Sequence, residues 1–145
     1  MADHRLATIY FSTAATGHNK ESHATVEAHE ELEADLDDGW RLTDMNAVGS
    51  GYSVSGDINA WLVLRLERAD SATQLHRQRL VSIFLTSKGF GLRQKDDAGR
   101  YDTYPELTEF LSQGWEPVSM VDVGFPSSAG TSVSAGWLAI LLEKV

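Results

Sequence analysis

The sequence predicts an α+β fold: two tandem β-α-β-β repeats, residues 1–70 and 71–145, forming one compact domain with pseudo-two-fold symmetry, mainly antiparallel sheet and one helix per repeat. Three observations predict it. Gly39-Trp40-Arg41-Leu42-Thr43-Asp44-Met45 returns 75 positions later as Gly114-Trp115-Glu116-Pro117-Val118-Ser119-Met120. Each copy follows an amphipathic run and precedes a Gly/Ser-rich stretch. Each Gly/Ser stretch leads into a strand-like run opening on tryptophan, Trp61 or Trp137, and the two runs match at Leu62/Leu138, Leu64/Ile140, Leu66/Leu142 and Glu67/Glu143.

The first strand of each repeat reads from Leu6 to Ser12 and from Leu80 to Thr86, both rich in β-branched and aromatic residues. Neither alternates cleanly, which predicts that both faces of each are covered. The first helix is expected from about Ser22 to Asp38, with Val26, His29, Leu32 and Leu36 on one stripe. Gly39 stands where a left-handed cap ends it. The second helix opens on Thr103-Tyr104-Pro105-Glu106, which reads as a capping box with proline in the first turn, and closes at Gly114. Its stripe is Tyr104, Leu107, Phe110 and Leu111, and it is expected to be a turn or more shorter than the first. Second strands follow at Trp40–Val48 and Trp115–Val123, with Pro117 pointing to an edge or bulge. Third strands follow at Ala60–Arg68 and Gly136–Val145. A crossover through the helix and a hairpin return predict the order 1-3-2 within each repeat.

A helix ending in Gly-Trp-(Glu/Arg), a Met-containing strand, a Gly/Ser loop and a Leu-rich last strand resemble small bacterial domains of unknown function marked by a Gly-Trp-Glu-Leu-Val type strand. The resemblance covers about 60 residues of each copy and departs at Arg41 and Pro117. It implies the fold and the tandem organisation, and no activity.

Composition bounds the function. The chain of 145 residues has no cysteine, hence no disulfide and no thiolate chemistry. The net charge of −9 disfavours a generic grip on nucleic-acid phosphates. No apolar run could span a bilayer, and the N-terminus lacks a signal-peptide pattern, so a cytoplasmic protein is expected. The charge is uneven: residues 1–72 carry 13 acids against 5 bases, and residues 73–145 carry 8 against 7. Eight of the acids fall within residues 20–38, as an acidic docking or cation face or simply as a solvated helix surface.

No nucleophile elbow, His-Glu-x-x-His or phosphate-binding loop is present. His18, His23 and His29 are spaced by five and six, off the helical ligand spacing, although His23-x-x-x-Glu27 and Glu27-x-x-x-Glu31 fit it. The expectation is therefore no metal and no cofactor. Carboxylate pairs abound, with no two singled out to face one cleft; catalysis through Asp44 or Asp122, on the second strand of each repeat, stays open. The Gly49–Asp57 and Gly124–Gly136 stretches are longer than minimal hairpin turns and mix hydroxyls, glycines and one early aromatic. With the basic connection Ser87–Tyr101 they nominate a ligand site: Ser50, Gly51, Tyr52, Arg93, Arg100, Phe125, Ser127 and Gly130. Glycine amides and arginines suit an anionic group. Three functions follow: a non-catalytic binding or assembly module that self-associates through sheet edges or loops, a binder of a phosphorylated or nucleotide-like ligand at the repeat junction, and a carboxylate-based hydrolase or isomerase.

Overall fold

The computed structural model describes residues 3–12, 26–52, 58–68, 77–86, 101, 103–124 and 135–145. Its elements run β1 (Asp3–Ser12), β2 (Val26–Ala28), α1 (Glu30–Asp37), β3 (Arg41–Tyr52), β4 (Ile58–Arg68), β5 (Arg77–Thr86), α2 (Pro105–Ser112), β6 (Glu116–Val123) and β7 (Ala135–Lys144). The fold is α+β, with two antiparallel sheets ordered β1-β4-β3 and β2-β5-β7-β6. Within each half the order is 1-3-2, as expected.

Both helices end alike. Gly39 has φ 98° and Gly114 φ 94°. Gly39 N–H donates to Leu36 O at 3.3 Å and Trp40 N–H to Asp35 O at 3.1 Å; Gly114 and Trp115 repeat this with Leu111 and Phe110 at 3.2 and 3.3 Å. This is the paired 5→2 and 6→1 bonding of a Schellman motif, and glycine alone enters that left-handed position without strain. The motif throws the following tryptophan back onto its sheet. The Arg5 guanidinium lies 4.1 Å and the Arg68 guanidinium 5.8 Å from the Trp40 ring; Arg79 and Lys144 stand at 5.1 and 6.0 Å from Trp115. Arg77 adds a third cation over Trp115 at 5.6 Å, so Trp40 is buried among two cation-bearing stems and Trp115 among three.

The helix starts differ from expectation. Val26–Ala28 is a strand, so α1 begins at Glu30, and both helices are eight residues long. The stripe through Val26 is broken because those residues gain backbone bonds from β5, pairing Val26 with Ile83 and Ala28 with Val81. The capping box does not form either. Tyr104 is the N-cap, Pro105 follows, and no side chain caps the helix. Thr103 stands one residue too early to reach the free amides. The bulge expected at Pro117 is present between Pro117 and Ser119, on edge strand β6, and a second falls between Leu42 and Asp44 on β3.

Two cores hold the layers. The larger combines Leu32 and Leu36 of α1 with Leu62 and Leu64 of β4 and with Phe84 and Trp137 of the other sheet. The smaller packs Leu107 and Phe110 of α2 on Val81, Ile83, Ile140 and Leu142. The first sheet therefore meets the second through its helix-bearing face, whereas the second uses its helix-free face. A two-fold relation would bury like faces, so the expected pseudo-two-fold symmetry is corrected: unlike faces meet. Polar groups close the seam. Gln78 Nε2 donates to Leu42 O at 3.0 Å while Leu42 N–H donates to Gln78 Oε1 at 2.7 Å, and Arg41 pairs with Glu143 at 3.1 Å.

The expectation that both faces of every first strand are covered holds for β5 and fails for β1. Leu80, Val81, Ser82 and Ile83 are all buried, but Leu6 is 74% exposed. The first sheet has no layer over its far face among the described residues.

Candidate functional site

Strand alternation decides which residues line that far face. In β4, Ala60, Leu62, Leu64 and Leu66 point into the core, so Trp61, Val63, Arg65 and Glu67 point out. Cross-strand register sets Tyr10 and Val48 beside Trp61, and Leu6 and Asp44 beside Arg65. The Tyr10 and Trp61 rings pack at 5.1 Å, tilted by 39°. Leu6, Tyr10, Val48 and Trp61 are 74, 49, 51 and 42% exposed, an apolar patch set among charges. A shallow groove of about 340 Å³ at one end is lined by His4, Arg5, Leu6 and Arg65.

A deeper groove of about 510 Å³ runs between β1 and α1. Ala7, Thr8, Ile9 and Tyr10 form one wall, and His29, Glu31, Leu32 and Asp35 contribute to the other. Strand β1 pairs only with β4 among the described strands, so the backbone groups along this wall form a sheet edge. At the groove's inner end His29 Nε2 lies 3.0 Å from Ser82 Oγ, and the imidazole meets Phe11 edge-on at 5.7 Å. Burial holds the His29 pKa below its ordinary 6.5, with the charge of Glu27 opposing.

A serine–histidine contact invites a catalytic reading, but Ser82 is 0% exposed. Its hydroxyl lies on β5 between β2 and β7, where no scissile group can reach it. The pair satisfies the buried Ser82 hydroxyl and the half-buried His29 imidazole. The carboxylates also fail to converge. Asp44 lies opposite Arg65 on the exposed face of the first sheet, and its Oδ1 accepts the Met45 amide at 3.0 Å. Asp122 lies opposite Leu138 in the other sheet. Among the described residues no group of three or more His, Asp or Glu side chains is placed to hold a metal ion. Glu27 sits in β2 rather than on a helix, which removes the helical spacing that linked it to His23 and Glu31; His18 and His23 lie outside the described residues.

Of the expected ligand residues, Arg93, Arg100, Phe125, Ser127 and Gly130 also lie outside the described residues. Ser50, Gly51 and Tyr52 are not in a hairpin loop: β3 continues to Tyr52, and past a register shift Gly51 faces Asn59 and Tyr52 faces Ile58. The shift lets the strand absorb extra residues without ending. Sequence reasoning nominated sheet edges in general and named neither the β1 edge nor the exposed face. A signal for the face was present, since Arg65 stands in one repeat where Leu141 stands in the other.

No helix among the described residues is long and apolar enough to cross a membrane. Comparison with family models, with curated proteins and with solved structures finds no match to this chain.

Proposed function

We propose that the protein is a non-catalytic assembly and binding module, a tandem duplicate of one β-α-β-β unit whose first half presents the docking surface. The observation that carries this reading is the apolar face of the first sheet, with Leu6, Tyr10, Val48 and Trp61 together at the surface. A contiguous apolar patch rimmed by charge is the usual mark of a protein contact. The matched helix caps, caged tryptophans and bulges support duplication, with the two halves stacked head to tail. The groove beside β1 suits a phosphorylated ligand poorly, because Glu30, Glu31 and Asp35 line it.

The test is a photo-crosslinking amino acid at Val48, with Glu109 on the exposed side of α2 as the control position. Protein adducts formed in extracts of source cells from position 48 and not from 109 support a docking face. Adducts at neither position, or equally at both, overturn it.

A further inference from the structure

We infer that the partner of the exposed face is a second copy of this chain, docked head to tail as the two halves dock within one chain; this rests on reading that face as a docking surface. The internal interface supplies the template. Aligned by the repeated motif and by strand register, Leu6, Tyr10, Val48 and Trp61 stand where Leu80, Phe84, Val123 and Trp137 stand in the second half. Those four are between 0 and 2% exposed, because the first half covers them.

The covering side has an exposed counterpart as well. Leu36 of α1 is 7% exposed and Met45 packs against the core; their equivalents Leu111 and Met120 are 39 and 63% exposed. Strand β2 lies just before α1 and adds to the edge of β5 at Val81–Ile83. Just before α2 stand Tyr101, 87% exposed, and Thr103. The two N-caps share one backbone conformation, φ/ψ −120/93° at His29 and −120/95° at Tyr104. The edge equivalent to Val81–Ile83 is Ala7–Ile9, the wall of the larger groove. Thus seven large apolar side chains, four on an accepting surface and three on a donating one, are exposed at positions whose equivalents form the internal interface. One further copy at each end covers both surfaces.

Strand dimensions give the exposed face an area on the order of 500 Å², at the weak, reversible end of specific interfaces. One contact changes sign. Arg41 pairs with Glu143 inside the chain, whereas the equivalent residues are Glu116 and Glu67. Between copies two carboxylates face each other, which loosens a heterologous contact that would otherwise extend into rings or filaments.

Sedimentation velocity across a range of concentrations tests this on the full chain. The wild type should associate reversibly. Leu6→Glu with Val48→Glu removes the accepting surface, and Met120→Asp removes the donating one; each variant should be monomeric with an unchanged melting temperature. Mixed, the two variants should form a dimer of one copy each and stop there. Glu116→Arg should tighten wild-type association about tenfold by restoring the charge pair. A wild type monomeric at every concentration overturns the inference, as does full association by Met120→Asp or no dimer in the mixture. Leu111→Asp repeats the donating arm should Met120→Asp melt early. Position-48 adducts to another protein, with a monomeric wild type, would sink the second copy as partner and leave the docking face standing.

Discussion

Two aromatic pairs bind the same kind of strands and meet opposite fates. Tyr10 and Trp61 pack at 5.1 Å with a 39° tilt; Phe84 and Trp137 pack at 5.2 Å with 44°. Both are directly opposite partners in antiparallel ladders. The first pair is at the surface and the second is sealed. Ring geometry is therefore set locally, by pleat and register, while burial is set by what the neighbouring layer offers. The second sheet has the first beneath it and α2 above it. Among the described residues the first sheet has the second sheet and α1 on one side and no layer on the other.

Substitutions at the two tryptophans break that comparison most sharply. Trp137→Ala should destabilise the protein by about 3–5 kcal/mol through cavity formation, while Trp61→Ala should cost about 1 kcal/mol or less, both read from urea unfolding. Equal costs would mean that the exposed pair is part of the folding core. Next in size, Gln78→Leu should cost about 1–3 kcal/mol, because it orphans the Leu42 amide and carbonyl at the seam. The equivalent position in the first half is His4, exposed on the far face, and His4→Leu should leave the melting temperature within error. Third, Gly39→Val and Gly114→Val should each cost about 1–2 kcal/mol, because a β-branched residue resists positive φ. A loss confined to one glycine would show that the two caps are not energetically alike.

The smallest effect is a pH dependence. Since burial lowers the His29 pKa in the folded protein, the unfolded chain takes up this proton first as pH falls. The stability owed to neutral His29 is complete above about pH 6.5 and is lost as pH drops below it. Comparing wild type with His29→Gln from pH 8 to 5 isolates the effect. The wild type should lose stability relative to the variant on the acid side, and parallel curves would show an exposed imidazole.

The helices, the strand order and the glycine caps were legible because each rests on a local rule repeated at Gly39-Trp40 and Gly114-Trp115. Strand β2 was not legible. Val26-Glu27-Ala28 is too short for its alternation to mark a strand, and Val26 extends the helical stripe of Leu32 and Leu36; only the distant edge of β5 makes it a strand. The capping box misled because Pro105 sets the first turn and leaves Thr103 outside it. The proposed site was illegible for a different reason. Trp61 and Trp137 open runs that share Leu62/Leu138, Leu66/Leu142 and Glu67/Glu143, and these shared residues do not state which face will find a cover. The polar replacements do so only in hindsight, Tyr10 for Phe84 and Arg65 for Leu141.

The pairing of β2 with β5 also dictates an order of events during synthesis. The first half leaves the ribosome while residues 77–86 are still inside the exit tunnel, so Val26–Ala28 waits without its ladder. The inward leucines of β4, Leu62, Leu64 and Leu66, wait with it, because part of their cover comes from Phe84 and Trp137. A nascent chain stalled after β4 should therefore be the most chaperone-dependent form of this protein, and release of the C-terminal strands should be the step that frees it.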